Sequence, residues 1–325
     1  MCLARASRVS QANPTRARAL ALLAGAATFV SARSASSATL APIRVGTILS
    51  DTYAEPFYFA AAGIAQTYGI TLDITTFKSN PAIGAAVAAG ALDVGVADML
   101  MIANGFNRGI PFAVLAGAGQ YDPDDSNLFV CIARSSTFKT AKDFEGTAIG
   151  VPTLVSSIAF TSTKAWFAKN GADPDKLHFV EMPFATMASA LQRGSVAAAV
   201  ITEPFLSQLP PDLKTFADPY EAIGKHFLIS EWFTMRDWTT KNRSLAKRLV
   251  RAIYDTARWA NAHQEATATI LAKAANLDPD HLRAMRRTAY ATELDPQMLV
   301  PVLTNALRYK TIERTINTAD IIAHT

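Results

Sequence analysis

The chain has 325 residues, 50% of them hydrophobic, with 31 Lys plus Arg against 27 Asp plus Glu and a formal net charge of +4. That length and apolar content can close one large core or two medium ones, and they exclude a disordered or fibrous chain. The basic excess belongs to the N-terminus: residues 1–38 hold Arg5, Arg8, Arg16, Arg18 and Arg33 and no acid, so removing these five leaves 26 basic against 27 acidic groups, a net charge of −1. A nucleic-acid partner is therefore not expected.

The Arg-bearing start, the apolar stretch over 19–30 and the small residues up to Ala38 read as a cleaved export signal with Ser36-x-Ala38 at the cleavage site, which places the mature chain in the periplasm. An amphipathic helix of a cytosolic protein is the competing reading and fits an acid-free segment less well. The apolar stretch is too short to span a bilayer. Cys2 precedes it, whereas a lipid-anchoring cysteine would follow it. The mature chain keeps Cys131 alone, which excludes an internal disulfide and a cysteine-rich metal site.

Beyond the leader, short β-branched runs alternate with helical ones. Residues 43–49 read as a strand, 50–54 as a loop, and 55–68 as one helix with Pro56 in its first turn and Gly69 past its end. Residues 70–77 form the next strand, Asn80-Pro81 starts a small-residue helix that stops at Gly90, 93–97 is a buried strand, and Asp98 caps a helix running to about Arg108. Residues 112–117 close this set. A second set follows: strands at 128–133, 147–151, 177–181 and 196–202, with helices at 157–169 and 184–193. This order implies mostly parallel sheets covered by helices on both faces. Residues 85–96 align with 189–200, sharing a helix, a glycine stop (Gly90, Gly194) and a buried strand, which points to two related lobes. After a strand-like run at 226–234 the rest is helical, with an apolar stripe through Leu245, Leu249, Ile253 and Ala260. Packed on the first lobe, that tail makes lobe one discontinuous, 42–122 with 225–325, and lobe two 123–224; two crossings between them make a hinge.

Four stretches in this order carry a resemblance. They are Ile43-Arg44-Val45-Gly46; the turn and strand from Ala89 to Gly95; the stretch from Thr140 to Val151, similar to a family pattern Asp-Leu-Lys-Gly-Lys-x-Val-Gly-Val at the opening of lobe two; and Ala190 to Ala198 leading to Glu203-Pro204. Over residues 42–325 the chain resembles the type II periplasmic substrate-binding proteins of ABC importers, in the branch that carries alkanesulfonates, taurine, nitrate and thiamine-pyrimidine precursors. Ala197 departs from that pattern, which usually has Asp there, and Phe144-Glu145 replaces Leu-Lys. The resemblance implies an α/β, two-lobed fold, a monomer, a small polar or anionic organic ligand (sulfonate, carboxylate or pyrimidine-like), and an ABC permease as partner.

In open parallel sheets ligands lie beyond the carboxyl ends of the strands, where helix N-termini present bare amides. Five loops qualify here. Ser50, Asp51, Thr52 and Tyr53 follow the first strand and read either as polar ligand contacts or as helix caps. Asp98 has the same two readings. Gly117 and Gly119 let a backbone approach a ligand, or make the crossover turn. Thr153, Ser156 and Ser157 lead into a helix whose amides suit a carboxylate or sulfonate, with an ordinary serine cap as the alternative. Glu203 and Phe205 follow the last buried strand; Glu203 either accepts from a ligand or fastens the hinge. Tyr53 and Phe205 are the aromatics expected beside a ligand, and Trp166 is expected in the core.

Enzymatic motifs are missing: there is no metal-spaced His or Cys pair, no Gly-x-Ser-x-Gly elbow and no phosphate loop. No catalytic residue, metal or cofactor is expected. Two alternatives remain open, a binding-protein-fold enzyme of the menaquinone-lyase or thiamine-pyrimidine-synthase type, and a sensory ligand-binding module. The basic run Lys241, Arg243, Lys247, Arg248 and Arg251 reads as a solvated helix face.

Overall fold

The computed structural model describes residues 40–324. The signal-peptide reading falls on residues 1–38, which lie outside that range. In the first half of the chain, strands β1 (Ala41–Ile48), β2 (Ile70–Phe77), β3 (Val94–Ala97), β4 (Phe112–Gly117) and β5 (Gly119–Tyr121) alternate with helices α1 (Glu55–Ala61), α2 (Ile64–Thr67), α3 (Asn80–Ala88) and α4 (Met99–Asn107). Then come β6 (Leu128–Ala133), β7 (Ala148–Val151), α5 (Ile158–Lys169), β8 (His178–Glu181), α6 (Phe184–Gln192), β9 (Ala198–Thr202) and β10 (Leu213–Ala217). The chain continues through β11 (Phe227–Leu228), β12 (Glu231–Met235), α7 (Arg236–Lys241), α8 (Arg243–Ala262), α9 (Gln264–Ala275), α10 (Pro279–Ala284), β13 (Ala289–Tyr290), α11 (Val300–Arg308) and α12 (Thr318–Ile321).

These strands form two five-stranded sheets, ordered β2-β1-β3-β12-β4 in lobe one and β10-β6-β9-β7-β8 in lobe two. In each, four strands run in one direction and one is reversed: β12 lies antiparallel between β3 and β4, and β6 antiparallel between β9 and β10. Reading the second order backwards superimposes β8-β7-β9-β6-β10 on β2-β1-β3-β12-β4, so the lobes share one topology. The repeat seen in sequence holds in register too. Val45 pairs with Val94 in lobe one, and Ile149 with Ala198 in lobe two. Gly90 (φ 72°) and Gly194 (φ 67°) end the preceding helices in the left-handed conformation that glycine adopts without a Cβ clash.

A third, three-stranded sheet, β11-β5-β13, lies where the chain crosses between the lobes. Its centre is tight: a Cβ on Gly119 would come within 2.9 Å of the Thr52 carbonyl, and the Gly119 amide donates to Ser230 Oγ at 2.9 Å.

Two expectations change, and one strand is added. The single helix over 55–68 is two, because Gly63 (φ 74°) turns the chain between α1 and α2. The run over 226–234 splits into β11, in the small sheet, and β12, the reversed strand of lobe one. Strand β10, a half-buried edge with a bulge between Thr215 and Ala217, had no clear sequence signal. The helical tail packs mainly on lobe one, α8 against α1, α2 and β4, while α11 touches both α4 and α5. Among the described residues no helix is long and apolar enough to cross a membrane.

Candidate ligand-binding site

The forward strands of both sheets aim their carboxyl ends at a shared cavity of about 490 Å³. Its walls come from the residues just past β1, β2 and β3 in lobe one and past β7, β8 and β9 in lobe two, with Leu128 and Ile229 from the starts of the reversed strands. This is where an open α/β sheet places a ligand.

Of the expected contacts, Ser50, Thr52, Tyr53, Asp98, Thr153, Ser157 and Phe205 line this cavity. Asp98 sits 1% exposed at the end of β3. Its Oδ1 accepts from the Met101 amide at 3.0 Å, capping α4, and its Oδ2 accepts from Asn80 Nδ2 at 3.0 Å and from the Ile158 amide at 3.3 Å. It is thus both a helix cap and a cavity group. Burial pushes its carboxyl up to about 7, against the pull of those N–H donors. The Ile158 amide belongs to the first turn of α5 in lobe two, so a carboxylate of lobe one already occupies the amide that the sequence offered to a ligand's anionic end. Ser157 caps the same helix, its Oγ accepting from the Phe160 amide at 3.3 Å.

Five expected contacts do not line the cavity. Asp51 is 0% exposed in an ion pair with Arg287 (2.8 Å), and it also accepts from the Thr288 amide and the Tyr58 hydroxyl. Gly117 lies under Ala291 and Leu228, each 3.0 Å from where its Cβ would be. Gly119 belongs to the crossover. Ser156 is a buried turn residue at φ 57°, a left-handed conformation uncommon outside glycine. The Glu203 carboxylate accepts from the amide and hydroxyl of Ser207, four residues on in the same lobe, at 3.0 and 2.8 Å.

Other residues that were not expected as contacts also line the cavity, among them Lys78, Asn80, Met182, Phe184, Thr202 and Tyr220. Lys78 and Asn80 follow β2, and Met182 and Phe184 follow β8, so the same strand-end rule finds them once it is applied to those strands. Tyr220 comes from the return crossing, for which sequence gave no signal. Phe184 and Phe205 stack with ring centroids 6.4 Å apart and planes 21° from parallel, an apolar wall on the lobe-two side. Trp166 packs on Phe167 and Phe216, away from the cavity. Cys131 is buried in lobe two among Met187, Leu191 and Ile201, and burial pushes its thiol up to about 12. Among the described residues, no group of His, Cys, Asp and Glu side chains could hold a metal ion.

A second, more open depression of about 540 Å³ lies at the other end of lobe two, lined by Ala148, Gly194, Ser195 and Ala197.

Two sheets of one topology with a shared cavity between their strand ends define the two-lobed fold of the type II periplasmic substrate-binding proteins. The chain belongs to the NMT1-like family, whose model matches residues 36–276. No curated protein matches it in sequence. Among solved structures, the periplasmic aliphatic sulphonate binding protein SsuA from Escherichia coli superimposes with a TM-score of 0.72 at 15% identity, covering 87% of this chain and 97% of that one. The alkanesulfonate-binding protein SsuA from Xanthomonas axonopodis pv. citri, bound to MOPS, gives 0.71 at 16%, covering 87% and 98%. The periplasmic nitrate-binding protein NrtA from Synechocystis PCC 6803 gives 0.66 at 14%, covering 86% and 84%.

Proposed function

We propose that this chain is the exported, monomeric solute-binding component of an ABC importer, capturing a small polar or anionic organic molecule such as a sulfonate, carboxylate or pyrimidine-like compound and handing it to a permease. Residues 1–38 are then the cleaved signal, 42–122 with 225–325 are lobe one, and 123–224 are lobe two. One observation carries the reading: a cavity of ligand size is walled by the strand ends of both lobes, so a molecule held there touches both and favours their closure. Ser50, Thr52, Tyr53, Asn80, Asp98, Thr153, Ser157, Thr202 and Phe205 are the contacts we assign.

The test has three readouts. Intact-mass measurement of exported protein should show a chain starting near Thr39, and one retaining Met1 would overturn the signal reading. A thermal-shift screen of sulfonates, carboxylates and pyrimidines should find a ligand, which at 100 times its Kd adds about 2.7 kcal/mol of stability. Cells lacking the chain should then lose uptake of that compound; retained uptake would overturn the transport role.

A further inference from the structure

We infer that Asn127, in the segment that crosses from lobe one to lobe two, is a positioning residue that fixes two wall hydroxyls in opposite senses, Thr52 of lobe one as a hydrogen-bond donor to the ligand and Thr202 of lobe two as an acceptor. This rests on the solute-binding reading above and adds the polarity that each lobe offers.

The two senses follow from counting protons. Thr52 and Thr202 both line the cavity, and Asn127 and Thr288 are buried beside them. Asn127 Nδ2 donates to Thr52 Oγ1 at 3.2 Å and to Thr288 Oγ1 at 2.6 Å, which uses both of its N–H bonds. The two threonine oxygens lie 3.3 Å apart, so one hydroxyl donates to the other. Thr288 is 3% exposed, and among the described residues Thr52 Oγ1 is the acceptor within reach of its hydroxyl. A buried hydroxyl proton without an acceptor is costly, so Thr288 donates to Thr52. Thr52 Oγ1 then accepts twice, both of its lone pairs are filled, and its own proton is left for whatever occupies the cavity.

In lobe two the sense is reversed. Thr202 Oγ1 donates to the Asn127 backbone carbonyl at 3.1 Å, and that carbonyl also accepts from the Glu203 amide at 3.0 Å. With its proton so engaged, the Thr202 hydroxyl can only accept from the cavity side. Asn127 therefore holds Thr52 through its side chain and Thr202 through its main chain, and a side-chain substitution alters the first while sparing the second. A ligand group that carries an acceptor beside a donor, as a carboxamide does, satisfies both walls, whereas a carboxylate satisfies Thr52 alone.

Amides matched with their acids test the wall: benzamide with benzoate, nicotinamide with nicotinate, and propanamide with propanoate, titrated calorimetrically into the full exported chain. The aromatic members suit the apolar wall of Phe184 and Phe205. The amide of at least one pair should bind at least about tenfold more tightly than its acid, the effect of one hydrogen bond. Thr202→Val, which keeps the shape and removes the acceptor, should bring that ratio to within about twofold. Thr52→Val should weaken both members about tenfold and leave their ratio standing. Asn127→Asp puts a carboxylate oxygen where the N–H stood and draws the Thr52 proton to itself, so it should weaken the amide about as much as Thr52→Val does. Added to Thr52→Val, it should cost less than about twofold more, because no hydroxyl remains to be turned. A merely structural role would weaken binding by the same factor in either background. Thermal unfolding checks that each variant is folded, and the two valine variants test the wall even where Asn127→Asp unfolds.

An amide advantage under about tenfold in every pair, absence of binding included, or a ratio that Thr202→Val leaves unchanged, overturns the donor and acceptor assignment. An unchanged amide affinity in Asn127→Asp overturns the positioning role, since the amide oxygen of Asn127 would then already face the two threonines. None of these outcomes touches the solute-binding reading, which fails on its own terms when the wider ligand screen finds nothing or uptake is retained without the chain.

Discussion

Asp98 of lobe one accepts a hydrogen bond from the amide of Ile158 in lobe two at 3.3 Å, across the cavity that separates the two sheets. Asp98 follows β3 and Ile158 begins α5, so both groups stand at strand-end positions, where this fold holds ligands. The bond joins the lobes through the helix end that would otherwise be free. Further along α5, Thr161 meets Thr311 hydroxyl to hydroxyl at 2.8 Å. These two hydrogen bonds hold the lobes together in the described arrangement.

Removing the Asp98 carboxylate should favour the open form. Asp98→Ala loses the contact to Ile158 and the cap on α4, the latter worth about 1 kcal/mol. Small-angle scattering of the ligand-free variant should give a larger radius of gyration than the parent, with far-ultraviolet circular dichroism unchanged. An equal radius would assign closure to the Thr161 and Thr311 contact and the α11 packing instead.

Stability should fall as pH rises from about 4 to about 8. Glu55 is 0% exposed, with Trp232 Nε1 donating to its Oε2 at 2.6 Å and its Oε1 unpartnered, and burial pushes its carboxyl from 4.5 up to about 8. Asp98 is raised from 3.8 to about 7 for the same reason. A raised carboxyl holds its proton in the folded state through a window where the unfolded chain has released it, so each pH step in that window favours unfolding. The carboxylates lowered by partners, such as Asp93 beside Arg44, act oppositely but only below the ordinary carboxylate range. Differential scanning calorimetry should show a higher melting temperature near pH 5 than near pH 8, with a flatter profile in Glu55→Gln. A melting temperature that climbs through this window would show that Glu55 and Asp98 are charged in the folded state throughout.

Arg287 should matter to stability rather than to ligand affinity. Its guanidinium is 9% exposed and pairs with Asp51, tying the loop after β1 to the segment before β13. Arg287→Met leaves the Asp51 carboxylate buried without its cation, at a cost of about 3–5 kcal/mol. Urea unfolding should register that loss, and adding Asp51→Asn should recover part of it. A weakened affinity in a variant of unchanged stability would return Asp51 to the ligand site.

The strand ends were legible because β-branched runs bounded by glycine and by Asp or Asn-Pro signals mark them, and Ser50, Tyr53, Asp98 and Ser157 follow directly from that rule. Asp51 shows what the rule lacks. It sits between cavity residues, yet its partner Arg287 is 236 positions away, and nothing local distinguishes a carboxylate facing a ligand from one facing a distant guanidinium. The same limit hid Tyr220 and Ile229, which reach the cavity only because the chain crosses back between the lobes. Glu203 was more readable than it looked, since Ser207 lies four residues on and can turn back to it. Gly63 inside a helical run is tolerated in many helices, so sequence alone did not require the break that divides α1 from α2.

The two lobes also differ at one equivalent position, and the difference can be undone. In lobe one the Arg44 guanidinium grips Asp93 through Nε (3.0 Å) and Nη2 (2.7 Å) and gives Nη1 to the Gly90 carbonyl at 2.9 Å. Lobe two repeats the backbone, with the Ala197 amide donating to the Ala148 carbonyl at 2.8 Å just as Asp93 donates to Arg44 at 3.0 Å. Alanines replace both charged side chains, and the open depression over Ala148, Gly194 and Ala197 lies where the ion pair would be. Ala148→Arg with Ala197→Asp should rebuild the pair over the Gly194 carbonyl. Because such a pair is partly exposed, a double-mutant cycle by urea unfolding should give a favourable coupling of only about 0.2–1 kcal/mol, reduced by added salt. Ligand affinity should not move, since the site lies at the end of the sheet opposite the cavity. Zero coupling would mean that the lobes share their backbone register but not the side-chain geometry that lets Arg44 reach both Asp93 and Gly90.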